Sequence, residues 1–241
     1  YYLLIGTDRE SGSEADAILL TAWNRQDREV TLISIPPNTK LARQEKKNQL
    51  IRTTFTEGGS EETKSAVENL LHLRIDKYAV FDYSNFKEYL NQMGGADLYV
   101  EKTMDHQDRE GETDIRIRQG YQSLDGENAL GYVRYLDSKN GEIDRIQRQE
   151  RLMKTMIHTV KNHMALYNWF FFHHYWTAEE TNITNGEAAS LAYTLTSYPE
   201  ENFRFSILPG ETQKINKVDT WVVNPVEVQK TLAQTIGSDN Q

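Results

Sequence analysis

Short apolar runs alternate with polar breaks marked by glycine and proline, and the period of the runs changes along the chain. Residues 1–6 (YYLLIG) form a continuous apolar run, the pattern of a buried strand that ends at a loop. Residues 17–23 (AILLTAW) and 30–35 (VTLISI) repeat that pattern across a polar turn at 24–28, which predicts a hairpin. Pro36-Pro37 stops the third strand, because proline cannot continue a ladder. Gly58-Gly59 then precede a helical pattern over 61–71, with Val67, Leu70 and Leu71 on its apolar face; residues 50–55 fit neither period. Residues 74–82 (RIDKYAVFD) alternate as a strand. Residues 83–93 return to helical spacing through Phe86, Leu90 and Met93 and end at Gly94-Gly95, a C-terminal stop. Short strands are predicted at 97–100 and 115–117, with a charged loop over 103–113.

Farther on, Leu124, Ala129, Leu130 and Val133 share one helical face, with the helix opening near Gly126-Glu127. A polar loop (137–141) leads to a long helix from about 144 to 166. Residues 167–176 (YNWFFFHHYW) are the most aromatic window of the chain. Thr184 with Glu187 reads as a capping box opening a helix over 187–195. Residues 203–208 (FRFSIL) predict a late strand closed by Pro209-Gly210, and 226–236 a last helix. Strands interspersed with helices in this order predict an α/β fold, an α-β-α sandwich with a central mixed sheet flanked by helices, in a single domain spanning 1–241.

Charge narrows the function. The chain carries 27 Lys+Arg against 36 Asp+Glu, a net charge of −9, and no helix-turn-helix signal. A general nucleic-acid binder needs a basic face to release counterions, so nucleic acid is not an expected partner. Cysteine is absent, which excludes a disulfide frame and thiolate metal sites. No run is long enough to cross a bilayer. The chain starts at Tyr1 inside an apolar run and without Met, as a piece whose upstream segment, such as a membrane anchor, has been removed would start.

Asp8 and Asp16 stand at strand ends near one loop, where two carboxylates suit a hard cation such as Mg²⁺, although isolated aspartates at strand ends more often form turns. Arg145, Arg148 and Gln149 lie three to four residues apart, hence on one helix side. Arg134 ends the preceding helix, so Arg134 and Arg145 can meet across the polar loop. Two guanidiniums at one mouth clamp phosphate oxygens, since the planar fork donates bidentately. The same arginines would serve as surface charges paired with Glu127, Glu142 and Asp144. His173-His174 are adjacent and diverge on a helix, which disfavours a shared metal.

The segments LLIGTD (3–8), ADAILL (15–20), VTLISIP (30–36), GG…VENLL (58–71), IDKYAVFDYSNF (75–86), MGGADLYV (93–100), GYQSLDGENALGYVR (120–134) and DRIQRQ (144–149), with a weaker echo at 181–195, together resemble the LytR-CpsA-Psr family of Gram-positive cell-envelope proteins. The resemblance implies a phosphotransferase. Family members sit on the outer face of the cell membrane on one N-terminal transmembrane helix. They move a glycopolymer (wall teichoic acid or capsular polysaccharide) from a polyprenyl diphosphate carrier to peptidoglycan. The resemblance places the polyprenyl chain in an apolar channel and the diphosphate at its mouth, held by arginines and Mg²⁺. It assigns Asp8 and Asp16 to the metal, Arg134 and Arg145 to catalysis at the diphosphate, Arg148 and Gln149 to its binding, and Glu142 to the general base.

Four family cations are missing. Glu14 replaces an arginine, Pro37 another, Leu50 a lysine and Leu136 the second arginine of a V-R-x-R segment. Charge-assisted contacts to a buried phosphate are worth about 1.5–3 kcal/mol each, so their loss removes most of such a clamp. Arg52, Arg9 and Lys40 are the nearby cations that would compensate. Two readings follow, an active transferase and a degenerate member that binds polyprenyl lipid or wall polymer, or partners active paralogues, without transfer. The aromatic window is expected to divide, with Phe170 and Phe171 inward and Trp169 or Trp176 near a rim at a channel or a bilayer surface.

Overall fold

A computed structural model describes residues 1–8, 14–42, 49–107, 113–137, 141–162 and 180–236. The aromatic window 167–176, His173-His174 and Arg9 lie outside the described residues. The chain divides into two compact units. The first comprises Tyr1–Asp82, Glu179–Ala188 and Tyr198–Gln241, and the second Tyr83–Ala178 and Ala189–Ser197.

The first unit is built on a mixed sheet, so the α/β class with a central mixed sheet is what the sequence folds into. Its strands are β1 (Tyr2–Thr7), β2 (Ala15–Asn24), β3 (Glu29–Ile35), β4 (Lys77–Asp82), β9 (Glu180–Thr181) and β10 (Phe203–Ile207), in the order β10-β3-β2-β1-β4-β9. β1–β2, β2–β3 and β4–β9 are antiparallel, and β1–β4 and β10–β3 parallel. The register lines Leu3 up with Leu20 and Tyr78, and Ile5 with Ile18 and Val80, on one face. That face is buried in one core with Phe55, Val67 and Leu71 of α1 (Thr53–Leu71) and Val228 and Leu232 of α6 (Pro225–Ile236). Burying a side chain of this size is worth about 1.5–3 kcal/mol, so this face fixes the register: a one-residue slip would turn the whole set outward.

The 50–55 segment that fitted neither period is divided: Leu50 bridges to Lys40, a turn follows, and Thr53–Phe55 open α1. The helix breaks at Gly58-Gly59, where Gly59 takes φ 67° and ψ −152°, a conformation open only to glycine. The break frees Ser60 to donate to Glu180 of β9 at 2.5 Å. α5 (Asn185–Thr196) opens on the expected capping box, with Thr184 N donating to Glu187 Oε2 at 2.8 Å and Glu187 N to Thr184 Oγ1 at 3.3 Å. A separate antiparallel ribbon pairs β11 (Gly210–Ile215) with β12 (Val218–Val223).

The second unit packs α2 (Tyr83–Gln92), α3 (Gly126–Arg134) and α4 (Glu142–Asn162) with two ribbons, β5 (Ala96–Val100) on β8 (Gly120–Leu124) and β6 (Met104–Gln107) on β7 (Thr113–Ile117). Leu90, Leu98, Val100, Met104, Ile117, Ala129, Tyr132 and Leu152 share its core. Two expectations change here. The charged loop over 103–113 contains β6, and Leu124 belongs to β8, opposite Ala96, instead of to the helix face. The helix begins after Asp125, whose carboxylate accepts from Asn128 N at 2.8 Å. Among the described residues no helix is long and apolar enough to cross a membrane.

Candidate functional site

The expected site residues fall into both units: Asp8 and Asp16 in the first, and Arg134, Glu142, Arg145, Arg148 and Gln149 in the second.

In the first unit, the β1–β2 ladder is irregular where the acids stand. Gly6 pairs with Ala17 and Thr7 with Ala15, so Asp16 is the extra residue of a β-bulge. A Cβ on Gly6 would lie 3.1 Å from Ala17 Cβ, which is why small residues face each other at the bulge. Asp8 follows Thr7 directly, and both acids are half-buried. Thr7 Oγ1 donates to Glu14 O at 2.9 Å, and Ala15 N to Arg52 O at 3.1 Å. These bonds bring Glu14 beside Arg52, whose Nε stands 3.3 Å from Glu14 Oε2. The glutamate at the position where the family resemblance expects an arginine is thus paired with Arg52, the residue just before α1.

The stretch after β3 is a knitted turn. Thr39 N and Oγ1 both donate to Pro36 O, Arg52 N to Pro37 O, and Trp221 N to Asn38 O. Asn38 is buried and donates through Nδ2 to Asp219 O at 2.9 Å. Pro37 and Asn38, where the family resemblance expects charge, therefore fill protein space.

Among the described residues no three Asp, Glu or His side chains cluster to hold a metal. Asp8 and Asp16 are half-buried carboxylates at the bulge, and Mg²⁺ is usually held through one or two carboxylates with substrate phosphates and water completing the shell.

In the second unit, α3 and α4 pack together. Gly126 starts α3 in close contact with the Lys87 carbonyl, with no room for a Cβ, and its N–H donates to Asn91 Oδ1 at 2.7 Å. Arg134 is the last residue of α3; it is exposed, and its guanidinium lies 5.4 Å from the ring centre of Tyr83. Arg145 sits in the first turn of α4, is buried, and its Nη2 donates to Glu142 Oε2 at 2.6 Å. Gln149, one turn on, is half-buried.

Arg148 is fully buried, with 0% of its surface exposed. Its Nε donates to Tyr132 O at 2.9 Å, its Nη2 to Tyr135 O, and its Nη1 to Glu101 Oε1 at 3.3 Å; the guanidinium also lies 5.5 Å from the Tyr135 ring centre. Glu101 meets Arg151 at 2.8 Å and accepts from Tyr132 Oη at 3.1 Å. Burial pushes the Glu101 carboxyl up, but its own backbone hydrogen bond and then Arg151, Tyr132 and Arg148 leave it below the usual range. Burial drives the Tyr132 hydroxyl above its usual value. Glu101, Tyr132, Tyr135 and Arg151 were not among the expected site residues. One signal pointed toward them: Arg148 occupies the buried stripe of α4 with Ile146 and Leu152, a place for a charge only if partners await it.

The LytR_cpsA_psr family matches residues 2–236 of the chain. A curated relative, the polyisoprenyl-teichoic acid–peptidoglycan teichoic acid transferase TagV of Bacillus subtilis (strain 168), is 30% identical over 148 residues, which are 59% of this chain and 38% of TagV. The chain thus spans well under two thirds of that relative's length. The crystal structure of B. subtilis TagV superposes with a TM-score of 0.82 at 23% identity, covering 98% of this chain and 96% of that one. The family protein YwtF (TagT) with bound octaprenyl pyrophosphate superposes with a TM-score of 0.72 at 22% identity, covering 98% and 89%.

Proposed function

The chain belongs to the LytR-CpsA-Psr family, and from that premise we propose that it transfers a glycopolymer from a polyprenyl diphosphate carrier to peptidoglycan. Wall teichoic acid is the polymer that the TagV likeness supports, and octaprenyl pyrophosphate in the similar TagT fold supports the carrier. The proposed location is the extracellular face of the cell membrane, on a single anchor preceding Tyr1.

The observation that carries the reading is the placement of Arg134 and Arg145 on two packed helices of one unit, with Glu142 bound to Arg145. Phosphoryl transfer asks mainly for positioning and charge neutralisation. Arg134 and Arg145 donate to the non-bridging oxygens, and Gln149 adds a donor one turn along α4. A sugar hydroxyl of the acceptor attacks the polymer-side phosphorus. The bond to the bridging oxygen breaks, polyprenyl phosphate leaves, and Glu142 takes the hydroxyl proton. Because Glu142 Oε2 is held by Arg145, the same guanidinium that meets the phosphate also aims the base. Asp8 and Asp16 would hold Mg²⁺, which supplies charge neutralisation when bound.

The test is Mg²⁺-dependent phosphate release from geranyl diphosphate, with TagV run alongside. Turnover that disappears in Arg145→Met is the expected result. No turnover and no binding, with TagV active, would sink the reading. A second reading, a member that binds without transferring, is favoured by the Glu14–Arg52 pair and the filled turn at Pro37-Asn38. It predicts geranyl diphosphate binding with no release of phosphate.

A further inference from the structure

We infer that Arg148 is a positioning residue that sets the direction of Arg134 relative to Arg145 and never meets the substrate itself. The inference rests on the reading of Arg134 and Arg145 as the phosphate-holding pair.

The geometry points this way from three sides. First, Arg148 has no exposed surface, so an anion in solvent cannot reach it. Second, its Nε, Nη1 and Nη2 all donate to protein acceptors. Third, the two main-chain acceptors bracket Arg134. A helix leaves the carbonyls of its last turn without partners; in α3 these include Tyr132 O and, at the cap, Tyr135 O, and Arg148 takes both. Arg134 lies between them in the chain. Arg145 is one turn before Arg148 on α4, on the same side of the helix. One buried guanidinium therefore ties the end of the helix that carries Arg134 to the helix that carries Arg145. Glu101 balances its charge, and Arg151 and the Tyr132 hydroxyl hold Glu101 in turn. Lysine could not reproduce this, because its single ammonium cannot reach three acceptors arrayed around a planar fork.

A double-mutant cycle on the folded protein separates positioning from contact. Affinity for geranyl diphosphate with Mg²⁺ is measured by calorimetry for the unaltered chain, Arg148→Lys, Arg134→Met and the double variant. If Arg148 acts through Arg134, Arg148→Lys weakens binding about tenfold alone but adds less than twofold on Arg134→Met. Losses that simply multiply would overturn the inference, because they mean an independent contact with the ligand. So would unchanged binding by folded Arg148→Lys, which means a merely structural role. A second measurement needs no ligand and still decides if the unaltered protein fails to bind, the outcome that sinks the functional reading instead. Amide hydrogen exchange in the last turn of α3 should rise at least tenfold in Arg148→Lys while α2 stays unchanged. No change there overturns the inference. If Arg148→Lys does not fold, Glu101→Gln, which keeps the shape and loosens the grip on Arg148, takes its place in both measurements with the same expected results.

Discussion

Among the arginines that meet a glutamate, Arg148 in the second unit and Arg52 in the first differ in a way that separates a structural charge from an available one. Arg148 is wholly buried, reaches three acceptors and lies against an aromatic ring. Arg52 keeps 38% of its side chain exposed and meets Glu14, itself 45% exposed, at 3.3 Å. A buried guanidinium with each of its three nitrogens engaged cannot be spent on a ligand, since each bond it gives up leaves an orphaned acceptor. A half-exposed pair at that distance is held weakly, and solvent screens it. Of the two, only Arg52 could exchange its carboxylate partner for a phosphate at small cost.

The sharpest way to break the contrast is Arg148→Met. Removing one member of a buried pair typically costs about 3–5 kcal/mol; the lower end is expected, because Arg151 still meets Glu101 at 2.8 Å. Chemical denaturation measures it, and a loss under about 1 kcal/mol would mean that the network does not hold the second unit together.

The other end of α3 gives the next largest effect. Gly126→Ala would press a methyl group onto the Lys87 backbone and threaten the bond from Gly126 N to Asn91 Oδ1. Overpacking of this kind costs about 1–3 kcal/mol. If α3 is anchored at both ends, this variant and Arg148→Met should each loosen Arg134, and hydrogen exchange along α3 reads both.

Glu14→Arg tests the weak side of the contrast. Stability should change by less than about 1 kcal/mol, the value of an exposed pair. Affinity for a diphosphate should rise roughly tenfold or more, from one added charge-assisted contact worth about 1.5–3 kcal/mol. Unchanged affinity would separate the Glu14–Arg52 corner from ligand binding. The equivalent change at Pro37 is a poorer probe, because the turn there is closed by bonds from Thr39, Arg52 and Trp221.

How much of this could be read beforehand depended on where each side chain finds its partner. The first three strands of the sheet were legible because their apolar runs are nearly continuous, and β4 because its residues alternate. β6, β8 and β11 were not, since a two-stranded ribbon with a wet face, such as GYQSL or GETQKI, carries little apolar pattern. The capping box at Thr184 and the stop at Gly94-Gly95 depend on neighbours in sequence and were found; Gly94 and Gly95 take φ 87° and 92°. Arg134 and Arg145 were recognisable as arginines at the two helix ends that flank one loop. The work of Arg148 was not, because two of its acceptors are main-chain carbonyls and the third, Glu101, is 47 residues away. Nothing local marks a carbonyl as waiting for a guanidinium. The pairing of Glu14 with Arg52 was hidden for the same reason, as it follows from the bond between Ala15 and Arg52.

The smallest effect expected is on acid stability, and it carries the contrast to two carboxylates. Glu187 is pulled from its ordinary 4.5 to about 2, first by its hydrogen bond with Lys77 and then by the Thr184 backbone and hydroxyl. Its carboxylate is thus favoured in the fold. The stability it adds is complete above about pH 4.5 and drains away as the pH falls toward about 2. Glu101 is also held below its usual range, so its contribution has the same sign: present above the ordinary value and lost on acidification through the lowered one. The consequences differ. Protonating Glu187 weakens an exposed cap at the start of α5. Protonating Glu101 leaves the charge of Arg148 in the core with a neutral partner. Both Glu101→Gln and Glu187→Gln should flatten the decline below about pH 4.5, and Glu101→Gln should cost more stability at neutral pH, because it leaves the buried charge of Arg148 with a neutral partner. Denaturation midpoints from neutral pH down through that interval measure both effects. If Glu187→Gln costs as much at neutral pH as Glu101→Gln, the buried pair has no special weight, and the distinction drawn between the two arginines fails with it.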